Sequence, residues 1–529
     1  MRPIRTLSRV AATILASALA VSACAPSGGF GVTTLRAVPH ADLKVLDPIA
    51  TTAYITRSHG YLVYDTLFSL DQNLEPQPQM VDNWSTSKNG LVWTFTLRDG
   101  LAWHDGKPVT AEDCVASLRR WGKVDGMGQA LFARTRSIKA VDNKTFKIHL
   151  KSRYDRILYS LAKLSSNVPF MMPASVAATS PGTPITSAIG SGPFIFKANE
   201  WERGRRVVYV RNKNYVPRKD PTSLGAGAKI AKVDRIEWIS YKDQNAAVDA
   251  LIAGEVDYLE SPSTALVSKL SSSKNVTLAY TDPLGNIGMA VFNHRIAPFN
   301  KRAVRRAVLM AMDQSAYMKA ALGDPVFWRT CYSVYACDTT YATDAGSSVM
   351  QKADIDAARR ALRRSGYRGE TVVILNPTDS PVISAFTKVT VDVLQQIGMK
   401  VEVQDMTWAQ LLERRINQGS TAKGGWNMFH TWWIAADLTE PTQIAYSGNP
   451  RKGWIGWPKS RRAERLRARF AATRSERKRA AIATELQKLI WKNATFGVLG
   501  QFFEPIAYRK ALIGQQSPIQ MYYNLGFAK

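Results

Sequence analysis

The sequence predicts a mixed α/β protein assembled from two or three packed units, and three observations predict it. Its 529 residues exceed what one ordinary hydrophobic core holds. Apolar residues make up 45% and charged residues 21%, a balance that suits a soluble globular chain rather than a disordered one. Period-2 stretches rich in aromatic and β-branched residues interleave with stretches of helical spacing, as in the β-α-β order of Thr371–Leu375, Thr387–Ile397 and Lys400–Gln404.

The chain opens with a targeting segment. Arg2, Arg5 and Arg9 form a basic start, and Val10 to Val21 is a short apolar stretch followed by small residues. It is too short to span a bilayer comfortably, and no later run reaches about 18 apolar residues. Val21-Ser22-Ala23-Cys24 fits a lipoprotein box with Cys24 acylated, while Ala23-Cys24-Ala25 fits ordinary leader cleavage. Both readings put the mature chain outside the cytoplasmic membrane, as a soluble or lipid-held protein.

After a small-residue tether, Thr33–Val38 reads as a first strand and Leu43–Ala50 as a loop turning at Asp47-Pro48. Tyr61–Leu70 has helical spacing, and Asp71 starts a turn. In LVWTFTLRDGLAWHDGKPVTAEDCV, Leu91 to Val115, the alternation of Trp93, Phe95 and Leu97 predicts a strand. Two Asp-Gly turns follow, and Thr110 with Asp113 predicts an N-capped helix. Thr145–Leu150 alternates again. Ile189-Gly190-Ser191-Gly192-Pro193 lacks the lysine and spacing of a phosphate loop and reads as a structural turn. Arg205–Tyr209 and Val233–Ser240 are strands, and Gln244–Glu260 holds a helix and then Gly254-Glu255-Val256-Asp257. Val276–Phe292 alternates around Asp282-Pro283-Leu284-Gly285, a crossing between units. Pro298 opens a long helix ending near Leu322, and Asp354–Ser365 is another, stopped by Gly366. Phe496–Phe503 is a strand leading back.

Several chemistries are disfavoured. The formal charge of +28 invites a nucleic-acid partner. Yet the basic residues are dispersed, and in the densest block, Lys459–Arg479, Arg461, Arg462, Arg465 and Arg469 recur at the spacing of a solvated helix face. Such a surface suits anionic lipid headgroups, and no nucleic acid is expected. The six histidines never fall at metal-ligand spacing, so neither a metal nor a cofactor is expected. Ser160-Leu161-Ala162-Lys163 has the form of an acyl-transferring serine motif, but its usual partner motifs are missing. In an oxidising compartment Cys331 and Cys337 are expected to pair, since a zinc site would lack its second ligand pair. Cys114 reads as a buried small hydrophobe.

The Leu91–Val115 run closely resembles the signature of the family 5 extracellular solute-binding proteins of ABC importers, which include dipeptide- and oligopeptide-binding proteins. Gly190-Ser191-Gly192-Pro193-Phe194, Gly254-Glu255-Val256-Asp257 and the run from Pro298-Phe299-Asn300 to Ala307 resemble further motifs of that family. The resemblance implies a type II periplasmic-binding fold: two lobes hinging over a ligand, with a small inserted subdomain. On that reading 1–23 is the leader, and 24–284 with 500–529 is lobe I, containing the subdomain at about 72–188. Lobe II is 285–499. It also implies a monomeric capture subunit rather than an enzyme, handing a small peptide to a membrane permease. Alternatives are another small solute (a nickel chelate, an opine or an oligosaccharide) or, more remotely, the exported serine enzyme.

Gly424–Pro441 is the richest stretch for a site. Trp426, Phe429, Trp432 and Trp433 crowd around one acid, Asp437. The residues alone allow two readings: a core strand whose aspartate caps the next helix through Thr439, or a carboxylate beside aromatic faces that attracts an ammonium. Ala436-Asp437-Leu438-Thr439-Glu440-Pro441-Thr442 resembles the oligopeptide-binding segment whose aspartate pairs with the ligand α-amino group, and this implies that role for Asp437. Trp432, Trp433 and Trp408 are candidate pocket walls.

Overall fold

The computed structural model describes residues 32–516 and 519–528; the leader and Cys24 lie outside them. Two large sheets organise these residues. The first runs, edge to edge, Phe194–Phe196, Arg206–Arg211, Arg235–Ile239, Thr34–Val38, Tyr258–Glu260, Ile506–Arg509 and Val276–Ala279. Thr34–Val38 pairs parallel with both neighbours, and the other pairings are antiparallel. Alternation produces the core: Ile236 and Trp238 point inward, and Trp238 meets Tyr209 and Tyr522 at ring distances of 4.9 and 5.2 Å.

The second sheet runs Trp328–Arg329, Phe496–Phe502, Asn286–Phe292, Met428–Ile434, Thr371–Pro377 and Lys400–Met406. Every residue of Asn286–Phe292 and Phe496–Phe502 is buried, as expected of central strands covered on both faces. Helix Pro381–Gln396 joins the parallel pair Thr371–Pro377 and Lys400–Met406, the β-α-β unit read from the sequence. Cys331 and Cys337 are joined within this body, S–S 2.09 Å, and Cys114 is buried elsewhere.

A four-stranded antiparallel sheet, Val81–Thr86, Val92–Leu97, Thr145–Leu150 and Thr135–Ala140, forms a smaller unit. Helix Ala111–Trp121 covers it, opened by a capping box between Thr110 and Asp113. The signature stretch does its structural work here. His104 N–H donates to Gly190 O (2.8 Å) and its ring meets Gly192 O (3.1 Å), so the glycine loop is clamped.

That clamp explains one departure from the sequence reading. The helix expected over Tyr61–Leu70 instead spans Tyr54–Val63 and is buried along its whole length. Gly192 N–H donates to Val63 O at 2.9 Å, and a Cβ on Gly190 would lie 1.8 Å from that oxygen. The glycine loop therefore takes the carbonyl a continuing helix needs, and the chain extends into Asp65–Thr66 and Phe68–Leu70. The helix expected from Pro298 to Leu322 is likewise two, Arg302–Ala311 and Gln314–Leu322. Met312 is extended, and Asp313 caps the second helix by accepting from Ser315 N–H at 3.0 Å.

The chain passes between the two large sheets at 280–285 and at 503–505. Phe496–Phe502 stays paired in the second sheet through Phe502, so the return crossing lies just beyond the boundary read at 499. No described helix is long and apolar enough to cross a membrane.

Candidate functional site

The site is built where the N-terminal end of helix Tyr54–Val63 meets the end of strand Met428–Ile434. Thr52, Tyr54 and Arg57 come from the first-sheet side, and Trp432 and Asp437 from the second. Alternation along Met428–Ile434 sends adjacent tryptophans to opposite faces. Trp432 stacks on Tyr54 at 5.2 Å and approaches His40 at 6.4 Å. Trp433 turns into the second body and packs on Trp454 at 4.9 Å. Of the expected pair, only Trp432 reaches the boundary between bodies.

Asp437 sits on the short turn Ala435–Leu438 directly after that strand and is 3% exposed. Tyr54 Oη donates to its Oδ2 at 3.0 Å. Thr439 Oγ1 donates to Ala436 O. Desolvation raises the Asp437 carboxyl above its ordinary range, against the charges of Lys163 and Arg57 and hydrogen bonds from Tyr54 and Ser165.

Two buried arginines lie at the same junction, and Arg57 contributes charge to this acid. Arg57 is 4% exposed, donates to Ser165 Oγ at 2.8 Å and lies 4.6 Å from the Tyr54 ring centroid. Arg415, also 4% exposed, donates across the boundary to Thr52 Oγ1 at 3.0 Å and stands 6.0 Å from the rings of Trp408 and Phe429. The Nε of each has no hydrogen-bond partner among the described residues. Desolvation pulls the Arg415 guanidinium down to about 10. Trp408 itself, half-buried at the start of helix Trp408–Arg414, is thus a neighbour of Arg415 rather than of Asp437.

Arg57 and Arg415 carried no sequence signal: the helix bearing Tyr54 and Arg57 was expected to start at Tyr61, and Arg415 follows a short helix in a polar stretch. Glu440, inside the Asp437 motif, makes a buried ion pair with Arg156 that ties the small unit to the second body. The serine-enzyme reading finds no machinery. Ser160 is buried against Tyr154 Oη at 2.6 Å, and the Lys163 amine is held by Asp125 in a buried ion pair. No group of three or more potential metal ligands occurs among the described residues.

Residues 75–453 match the family model for bacterial extracellular solute-binding proteins, family 5. A probable peptide ABC transporter periplasmic-binding protein, y4tO of Sinorhizobium fredii, is 38% identical over 477 residues, covering 89% of each chain. The probable D,D-dipeptide-binding periplasmic protein DdpA of Escherichia coli is 24% identical over 90% of this chain and 89% of that one. Among solved structures, AgaA from A. tumefaciens R10 in complex with agropinic acid matches with a TM-score of 0.79 at 19% identity, covering 94% of this chain and 99% of that one. AppA from Bacillus subtilis, in complex with a nonapeptide, matches with a TM-score of 0.78 at 17% identity over the same shares. At such identities the two structures speak for the fold, a type II periplasmic-binding architecture.

Proposed function

Because the chain belongs to the family 5 bacterial extracellular solute-binding proteins, we propose that the solute it captures is a small peptide whose ammonium pairs with Asp437. The role itself follows from the family: the chain is the solute-binding component of an ABC importer, not a catalyst, and it delivers its cargo to the permease. In our reading it does so as a monomer held outside the cytoplasmic membrane by a lipid on Cys24. Its two lobes, 24–284 with the C-terminal segment and 285–499, hinge shut over the peptide.

The observation that carries the peptide reading is the setting of Asp437. A carboxylate buried at the junction of the two bodies, beside the Tyr54–Trp432 stack, offers charge, hydrogen bonding and aromatic faces to one ammonium. Water excluded by closure strengthens all three. Arg415, a buried cation whose described polar contact is a threonine hydroxyl, is the candidate for the peptide carboxylate. The relatives named for peptides support this class.

Calorimetry on a two-by-two set tests the pairing: unmodified protein and Asp437→Asn, each with a free and an N-acetylated form of one peptide found by screening. Breaking a desolvated charge pair costs about 2–5 kcal/mol, so Asp437→Asn weakens the free peptide at least about 30-fold. The acetylated peptide binds the unmodified protein poorly and loses little more on the variant. Simple additivity of the two changes removes Asp437 from the ligand site.

A further inference from the structure

The two crossings between the sheets lie side by side. Ala279 and Ile506 pair where the segments leave the first sheet, and Asn286 and Phe502 pair where they enter the second. The linkers between, 280–285 and 503–505, form a two-stranded joint, and each carries an acid, Asp282 and Glu504. Neither acid makes a salt bridge among the described residues. Glu504 Oε2 accepts from Asn286 Nδ2 at 3.0 Å, a bond that spans the joint, and Asp282 Oδ1 accepts from Leu284 N–H at 2.9 Å.

We propose that Glu504, assisted by Asp282, is a positioning residue that couples closure of the two bodies to proton uptake. A carboxylate that loses water when the joint packs, and gains no ion pair in return, is more stable protonated. The conformer described here is packed at the joint. A hydrated joint in an opened form returns each acid to its ordinary range of roughly 4.

The surroundings of the two acids point the same way. Glu504 is half-buried among His40, which follows the first strand, Glu260 at the end of Tyr258–Glu260, Ser261, and Asn286. Desolvation raises its carboxyl to about 7; the His40 charge opposes this and the Glu260 charge adds to it. His40 is already committed, its Nδ1 lying 2.9 Å from Glu260 Oε2, which also accepts from Tyr522 Oη at 3.0 Å. Although burial opposes it, that partnership holds Glu260 at about 2, so Glu260 stays charged while Glu504 titrates. Desolvation lifts Asp282 to about 6, against backbone N–H groups of Gly285 and Leu284 and the more distant Arg57 charge.

The sign follows from these directions. With carboxyls raised in the packed conformer, that conformer binds the extra protons. It is favoured at acid pH and loses its advantage as pH rises through about 6 and then about 7. One proton changes the closed-to-open ratio by at most about tenfold per pH unit. Capture therefore tightens as the medium outside the membrane acidifies, until Asp437 itself protonates.

The inference rests on the two-lobe reading but not on the peptide, so the test uses ligand-free protein. Small-angle scattering across pH 5.5 to 8.5 follows the radius of gyration of unmodified protein, Glu504→Gln and Asp282→Asn. The expected result is a compact particle at the acid end and an expanded one at the alkaline end. Glu504→Gln, which keeps an acceptor for Asn286, loses the part of the change above about 6.5 and keeps the part below it; Asp282→Asn does the reverse. A flat profile for the unmodified protein overturns the proposal. So does a Glu504→Gln profile that keeps the full change, which would assign the proton to Asp437 or His40. Should Glu504→Gln fail to fold, the protonated-carboxyl band in the infrared spectrum of the unmodified protein decides: its loss and the expansion share one midpoint, and separation by more than a pH unit refutes the coupling.

Discussion

Tyr54 and Asp437 bind each other across the junction of the two bodies. The Tyr54 hydroxyl donates to Asp437 Oδ2 at 3.0 Å and accepts from Ile434 N–H at 2.8 Å, so one oxygen from the first-sheet side satisfies two groups of the second body. The phenol thereby fixes the aspartate and the end of strand Met428–Ile434 together.

Tyr54→Phe removes that oxygen and leaves a buried N–H and a buried carboxylate short of a partner. Each such loss costs about 1–3 kcal/mol, so thermal stability falls while the fold persists. The hydroxyl also helps hold the Asp437 carboxyl down against desolvation, so its loss raises that carboxyl further. An ammonium needs the ionised form. Peptide affinity measured against pH therefore loses its acid limb at a higher pH in Tyr54→Phe than in the unmodified protein. An unmoved acid limb would mean that Tyr54 does not tune Asp437.

Gly285 tests the joint in a different way. It adopts φ +62°, and a Cβ there would lie 2.2 Å from Phe502 O, in the partner strand of the crossing. Gly254 has φ +80° in the left-handed region, and the nearest atoms to its Cβ position are those of the Arg509 side chain, at 3.4 Å. Gly254→Ala thus carries only the left-handed backbone penalty of about 1–2 kcal/mol. Gly285→Ala adds a backbone collision, and a loss above about 3 kcal/mol is expected from urea unfolding. Equal losses at the two positions would show that the crossing relaxes freely.

The fold was legible because its signals are local. Alternation in Val92–Leu97, the Thr110–Asp113 box and the β-α-β run each depend on residues close in sequence, and each appears in the structure. The misplaced helix at Tyr61 shows the limit: what ends it at Val63 is Gly192, a residue more than a hundred positions away. The site was half legible for the same reason. Asp437 and Trp432 sit in a recognisable segment, whereas Tyr54, Arg57 and Arg415 acquire meaning only when two bodies bring them together. The opposite facing of Trp432 and Trp433 follows from strand alternation, but only once the strand is known to continue to Ile434.

Arg415 carries the last prediction. A buried guanidinium pays heavily for lost water, and here its described return across the junction is one bond to Thr52 Oγ1, with Nε left without a partner. Its depression to about 10 by desolvation expresses the same cost. A ligand carboxylate would supply what the protein withholds. Arg57 is the weaker candidate because it already contributes charge to Asp437, Glu260 and Asp282. Arg415→Met, which keeps much of the apolar stem, should therefore leave ligand-free stability unchanged or raise it. The same variant should weaken a free peptide at least about 30-fold, the effect of losing about 2 kcal/mol from a desolvated pair. A C-terminally amidated peptide, with no carboxylate to place, should bind both proteins about equally. If Arg415→Met instead unfolds at lower temperature and weakens free and amidated peptides alike, the arginine is a structural strut between Thr52 and Trp408, and the carboxylate is held elsewhere.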